Sequence, residues 1–142
     1  MGNARKVMDR MTAAALEQHD LKATMQCYAK NAVVTAPDAG EVRGQDRIAE
    51  YWRTFVESFP DGRYEPLDKL ESGNHAIDEG YFVGTNTKPL HLPTGETVPA
   101  TGKRVKVRSC DVATVEDDKI TEHHLYFDQL DFMSQLGLAP AS

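Results

Sequence analysis

Five side chains near the end of the chain have types and spacing suited to proton chemistry: Ser109, Asp111, His124, Tyr126 and Asp128. Four of them fall in two strand-like runs, 105–116 and 119–127, that flank Asp117-Asp118, a dipeptide suited to a two-residue hairpin turn. With Glu116 facing Lys119, opposed positions sum to 235. Asp111 then lies across from His124 and Ser109 across from Tyr126, with Cβ atoms about 4.5–5.5 Å apart. Alternation places Val107, Ser109, Asp111, Ala113 and Val115 on one face with Ile120, Glu122, His124, Tyr126 and Asp128. Arg108, Cys110, Val112 and Thr114 share the other with Thr121, His123, Leu125 and Phe127.

The first face mixes apolar positions with two acids, an imidazole, a hydroxyl and a phenol, which is the better composition for a pocket wall. A carboxylate beside an imidazole orients it, and the pair can take and return protons. The reading depends on the turn, because a three-residue loop would pair His124 with Val112 or Cys110. If the faces were reversed, Arg108 would be the group placed to hold an oxyanion. His123 points away from His124, so the two cannot chelate one metal from a regular strand. Asp128 precedes Gln129, Leu130 and Asp131 and is also a good N-cap for a terminal helix over 128–136, with Gly137 at its C-terminal stop.

Elements that would position these groups are legible upstream. Val7, Met8, Met11, Ala14 and Ala15 recur at helical spacing, and Asp20 can cap a second short helix carrying Leu21, Met25 and Tyr28. A short strand over 32–36 stops at Pro37. Asp46 can cap a third helix in which Ile48, Tyr51, Trp52, Phe55 and Phe59 form one apolar stripe that needs a sheet to cover it. Tyr51, Trp52 and Phe55 are thereby candidate pocket residues. A hairpin over 64–85 turns at Gly73-Asn74, and a loop punctuated by Pro89, Pro93, Gly95, Pro99 and Gly102 crosses to the last hairpin. Helices first and antiparallel strands afterwards make an α+β chain.

At 142 residues the chain reads as a single domain, 1–142, able to bury a core without disulfides or metals. A net charge of −6 with no basic cluster argues against nucleic-acid or membrane-surface partners. The N-terminal segment lacks the apolar core of an export signal, and Cys27 and Cys110 have no motif spacing, so a cytoplasmic protein is expected. Scattered histidines and the absence of phosphate-binding or dinucleotide motifs predict no metal and no cofactor. Both faces of the last hairpin carry apolar residues, which predicts a homodimer covering the outer face through Cys110, Val112, Leu125 and Phe127.

The segment GTNTKPLHLPTGETVPATGKR, from Gly84 to Arg104, carries a resemblance, together with Phe59-Pro60-Asp61 before it and Gln135-Leu136-Gly137 after it. It resembles the SnoaL-like polyketide and ester cyclases, within the superfamily of cone-shaped α+β proteins named after nuclear transport factor two. The likeness runs from about Asp20 to Leu138 and implies a curved antiparallel sheet wrapped around the third helix as a cone-shaped barrel. It further implies cofactor-independent acid–base chemistry on a hydrophobic carbonyl compound, either intramolecular aldol cyclisation or keto-enol isomerisation. By its position before Gln135-Leu136-Gly137, Asp128 is similar to the family's acid/base aspartate, with His124, Tyr126 and Asp111 as orienting groups. The family's histidine on the preceding strand has no counterpart among Arg108, Ser109, Cys110 and Asp111. The alternative is a non-catalytic module that binds a small apolar ligand in the same pocket; epoxide hydrolases of this fold use an Asp-Arg-Asp array with no clear match here.

Overall fold

In a computed structural model of the protein, residues 3–92 and 94–138 are described. Pro93 of the crossing loop and the first two residues of the N-terminal segment lie outside them. The chain opens with α1 (Asn3–Leu16), which buries Val7, Met8, Met11, Ala14 and Ala15. Asp20 caps α2 (Leu21–Met25), its side chain accepting from the Ala23 amide at 3.0 Å. This helix ends earlier than the spacing predicts, because Tyr28 opens β1 (Tyr28–Ala36) and does not extend α2.

After β2 (Gly40–Arg43), α3 (Gln45–Glu57) starts from Gly44 and not from Asp46. Gly44 has φ of 86°, which a side chain would resist. Asp46 instead sits in the first turn, where a negative charge suits the helix N-terminus. Ile48, Tyr51, Trp52, Phe55 and Phe59 are all buried, as the stripe predicts. Each is worth about 1.5–3 kcal/mol of burial, and this fastens α3 into the concave side of the sheet.

That sheet contains β3 (Arg63–Ser72), β4 (His75–Thr85), β7 (Arg104–Glu116) and β8 (Lys119–Phe127) in addition to β1 and β2. The strand order is β2-β1-β8-β7-β4-β3. Every neighbouring pair is antiparallel except β1 with β8, which is parallel. The sheet curves around α3 but does not close into a barrel, leaving β2 and β3 as its edges. Among the described residues no helix is long and apolar enough to cross a membrane.

The loop between β4 and β7 carries a small second sheet, β5 (Leu90–His91) with β6 (Thr97–Val98). Its organiser is Asn86, which is fully buried. The Asn86 amide donates to the Ser58 carbonyl at 3.2 Å and the Lys88 carbonyl at 2.8 Å. Its carbonyl accepts from the Thr101 amide at 2.7 Å and the Thr101 hydroxyl at 2.9 Å. One side chain thus spends its whole donor and acceptor capacity joining both ends of the loop to the end of α3.

The last helix, α4 (Gln129–Gln135), docks back on β7 through Gln135. Its side chain accepts from the Lys106 amide at 2.7 Å and donates to the Lys106 carbonyl at 3.0 Å, as a neighbouring strand would. Leu136 is buried behind it, and Gly137, with φ of 75°, ends the helix. The Gln-Leu-Gly motif therefore holds Phe132 of α4 against the aromatic core.

Candidate active site

Register decides which groups of the last hairpin meet. The turn has two residues, as predicted: Asp117 and Asp118 have φ of 51° and 62°, the left-handed pair of a type I′ turn. Glu116 pairs with Lys119 and Val115 with Ile120. A bulge then intervenes, Thr114 pairing with Glu122 so that Thr121 has no opposite number. Every later pair is displaced by one residue. Ala113 faces His123, Val112 faces His124, Asp111 faces Leu125 and Ser109 faces Phe127.

The expected pairs of Asp111 with His124 and of Ser109 with Tyr126 are therefore corrected. His123, Leu125 and Phe127 point to the concave side, whereas His124 and Tyr126 lie on the convex side. There the Tyr126 hydroxyl is 3.5 Å from His124 Nδ1, and Tyr126 is 57% exposed. Asp128 is exposed as well, its side chain accepting from the Asp131 amide at 2.9 Å as the N-cap of α4. Tyr51 is buried, but its hydroxyl donates to Asp38 at 3.0 Å and it does not line the cavity. Burial pushes the Asp38 carboxyl up, and the Tyr51 bond offsets part of that.

What the concave side assembles is a cavity of about 50 Å³. Trp52, Phe55, Phe82, Phe127 and Phe132 supply most of its wall, with Leu16 at the end of α1 on one flank. Among the described residues, the polar side chains in that wall besides the Trp52 indole are Tyr64, Ser109 and Asp111. Trp52, Phe55, Ser109 and Asp111 are thus brought together as the sequence suggests. Tyr64 was not expected there, nor His123 in the layer behind it.

Behind Asp111 runs a chain of buried hydrogen bonds. His123 Nε2 is 3.0 Å from Asp111 Oδ2, His123 Nδ1 is 2.8 Å from the Tyr28 hydroxyl, and Trp52 Nε1 donates to that hydroxyl at 3.0 Å. The indole N–H can only donate, and this fixes the direction of the first bond. Tyr28 accepts from Trp52 and gives its own proton to His123 Nδ1. His123 then carries a proton on Nε2 and donates it to Asp111 Oδ2. Burial pushes the Tyr28 phenol up strongly, so it remains a donor. Among the described residues, Asp111 Oδ1 has no hydrogen-bond partner and is available to a ligand.

A second acid stands beside this one. Asp78 on β4 is the cross-strand partner of Asp111 and is 2% exposed. Its carboxylate pairs with Arg5 of α1 at 2.6 Å, an ion pair whose geometry falls short of a hydrogen bond. Burial pushes the Asp78 carboxyl up, Arg5 pulls it back, and Asp111 adds to the upward push. Arg5 also bonds Asp9 and the Leu70 carbonyl, so α1 is tied over the end of the sheet. Among the described residues no group of three or more His, Cys, Asp or Glu side chains could hold a metal ion.

An open curved sheet around one helix, with a mostly aromatic cavity carrying a single free carboxylate oxygen, defines a cone-type α+β domain. The sequence over residues 8–123 matches the SnoaL-like domain family, and the chain belongs to that family. Solved structures agree on the fold. A proposed SnoaL-like polyketide cyclase from Jannaschia sp. CCS1 superposes with a TM-score of 0.80 at 16% identity, covering 98% of this chain and 94% of that one. IdmH from Streptomyces antibioticus, a proposed polyketide cyclase, gives 0.74 at 22% identity over 94% and 98%. A hypothetical protein with a ketosteroid isomerase-like fold from Catenulispora acidiphila gives 0.73 at 13% identity over 95% and 94%. No curated protein matches this sequence.

Proposed function

We propose that this protein is an acid–base enzyme of the cyclase and isomerase type, acting without a cofactor on a hydrophobic carbonyl compound, with Asp111 as the acid/base. One observation carries the reading: a single carboxylate oxygen left free on a largely aromatic wall, its partner oxygen held by a buried histidine. Asp111 Oδ1 takes a proton from the carbon beside the carbonyl, and the C–H electron pair becomes the enolate double bond. In isomerisation the same carboxyl returns that proton to a different carbon. In an aldol closure the enolate carbon attacks a second carbonyl, and the carboxyl protonates the new alkoxide. The bonds from Trp52 through Tyr28 and His123 hold Asp111 in place, so little reorganisation is needed at the moment of transfer.

The cavity's small size favours the isomerase branch, since about 50 Å³ suits a compact substrate better than a long chain folding on itself. Asp128, proposed from the resemblance, is less well placed because it is exposed and already serves as a cap. The test is exchange of the α-protons of cyclohexanone in D2O, followed by NMR. Exchange above the buffer rate that disappears in Asp111→Asn supports the enzyme. Saturable binding without any exchange favours the non-catalytic binding module.

A further inference from the structure

We propose that Tyr64 is the hydrogen-bond donor to the ligand's oxygen, so that the ligand class is a compact ring ketone whose enolisable carbon adjoins that oxygen. This rests on the reading of Asp111 as the acid/base. Tyr64 is on β3, paired with Phe82 of β4, and its ring lines the cavity. Its hydroxyl is buried and, among the described residues, makes no well-formed hydrogen bond, Ser109 lying beside it without bonding geometry. A buried hydroxyl without a partner is costly and uncommon, and in a cavity wall it is explained by a partner that arrives with the ligand.

The neighbouring strand makes room for it. A Cβ at Gly80 would lie 2.7 Å from Tyr64 Cζ and 2.8 Å from its hydroxyl oxygen, so the phenol lies across β4 at an inward position without a side chain. Gly80 pairs with Ser109 of β7, and Asp111 is the next residue of β7 on that face. The free donor on β3 and the free carboxylate oxygen on β7 are therefore presented from the two sides of β4 to one ligand. That geometry suits a carbonyl oxygen and an acidic carbon one bond apart. Burial pushes the Tyr64 phenol up, and the charges of Asp111 and Asp78 push it further. It keeps its proton while donating. As the C–H proton passes to Asp111 and the carbonyl electrons move to oxygen, the Tyr64 hydroxyl stabilises the developing enolate without transferring its own proton.

The experiment compares cyclohexanone with methylenecyclohexane, which has the same shape but no oxygen acceptor. Binding is read from the indole N–H resonance of Trp52, the chain's single tryptophan. Tyr64→Phe is expected to leave methylenecyclohexane affinity unchanged and to lower the ketone-to-alkene affinity ratio about tenfold, as expected for a buried carbonyl left without its donor. Its Tm should stay close to that of the wild type, because the hydroxyl removed makes no well-formed hydrogen bond among the described residues. Ser109→Ala should keep the wild-type ratio.

An unchanged ratio in Tyr64→Phe, a ratio lost only in Ser109→Ala, a Tyr64→Phe variant that fails to fold, or a wild type that binds neither compound would overturn the proposal. Failure of the acid–base reading looks different. In that case the wild type shows the Tyr64-dependent ratio but no α-proton exchange, which supports the Tyr64 contact and removes the enzyme. Asp111-dependent exchange with no Tyr64 effect does the reverse.

Discussion

Tyr28→Phe perturbs the site at the point hardest to anticipate from the sequence. The substitution deletes one oxygen and strands two groups: the Trp52 indole N–H, bonded at 3.0 Å, and His123 Nδ1, bonded at 2.8 Å. Tyr28, Trp52 and His123 are 2%, 5% and 0% exposed, so water cannot replace the lost partner. Each stranded buried group costs about 1–3 kcal/mol, which together predicts a loss of about 2–6 kcal/mol. At roughly 3–4 °C per kcal/mol for a chain of this length, Tm falls by about 6–24 °C. Urea unfolding followed by Trp52 fluorescence, with the slope unchanged, measures the free energy directly. His124→Ala is the control. Its contact with Tyr126 is 3.5 Å and lies on the convex side, so it should stay within about 0.5 kcal/mol of wild type. A Tyr28→Phe protein as stable as wild type would refute the chain of buried bonds. A His124→Ala protein that loses as much would refute the bulge at Thr121.

Other consequences follow from single contacts. Asp128→Asn should keep both stability and ligand binding, while Asp128→Ala should cost about 1 kcal/mol through the lost cap, measured by urea unfolding. Asp38→Asn should stabilise the protein at neutral pH. The Asp38 carboxyl is raised in the folded state chiefly by burial, and Tyr51 can still donate to the Asn carbonyl. A raised carboxyl makes folding less favourable above its folded pKa, and this cost fades as pH falls through that value toward 3.8, the unfolded one. The gain in Asp38→Asn should therefore shrink over the same window, and a gain that grows on acidification would contradict the sign. We also propose a homodimer through the convex face, where Cys110, Val112 and Ile77 are half-buried and Leu70 and Tyr126 are 51% and 57% exposed. Sedimentation at micromolar concentration should show a dimer that Val112→Lys converts to monomer; a wild-type monomer would refute it.

Much of the architecture was readable because it rests on local signals. The Ile48 to Phe59 stripe, the turns at Gly73-Asn74 and Asp117-Asp118 and the Asp128 cap are each written in a few neighbouring residues. Three features lack such a signal. The bulge at Thr121 carries no glycine, yet it turns His123 inward and His124 outward, and likewise moves Leu125 and Phe127 from the expected outer patch to the cavity. The helical spacing of Leu21, Met25 and Tyr28 fits one face of a helix, but tertiary pairing of Tyr28 with Ile120 in a parallel ladder takes that residue into β1. Parallel partners are far apart in sequence and leave no hairpin mark. Tyr64 and Gly80 become informative only when β3 and β4 are laid side by side. By contrast, Asp111 was legible as an acid at an inward strand position, a placement that needs a reason wherever it occurs.

The central claim is that Asp111, and not Asp128, exchanges protons with a carbonyl ligand. Its most direct measurement is the rate of α-proton exchange of cyclohexanone in D2O with wild type, Asp111→Asn and Asp128→Asn at matched folded concentration. The account predicts exchange above the buffer rate in the wild type and in Asp128→Asn, with a loss of about two to four orders of magnitude in Asp111→Asn. Exchange that survives in Asp111→Asn and disappears in Asp128→Asn would contradict it.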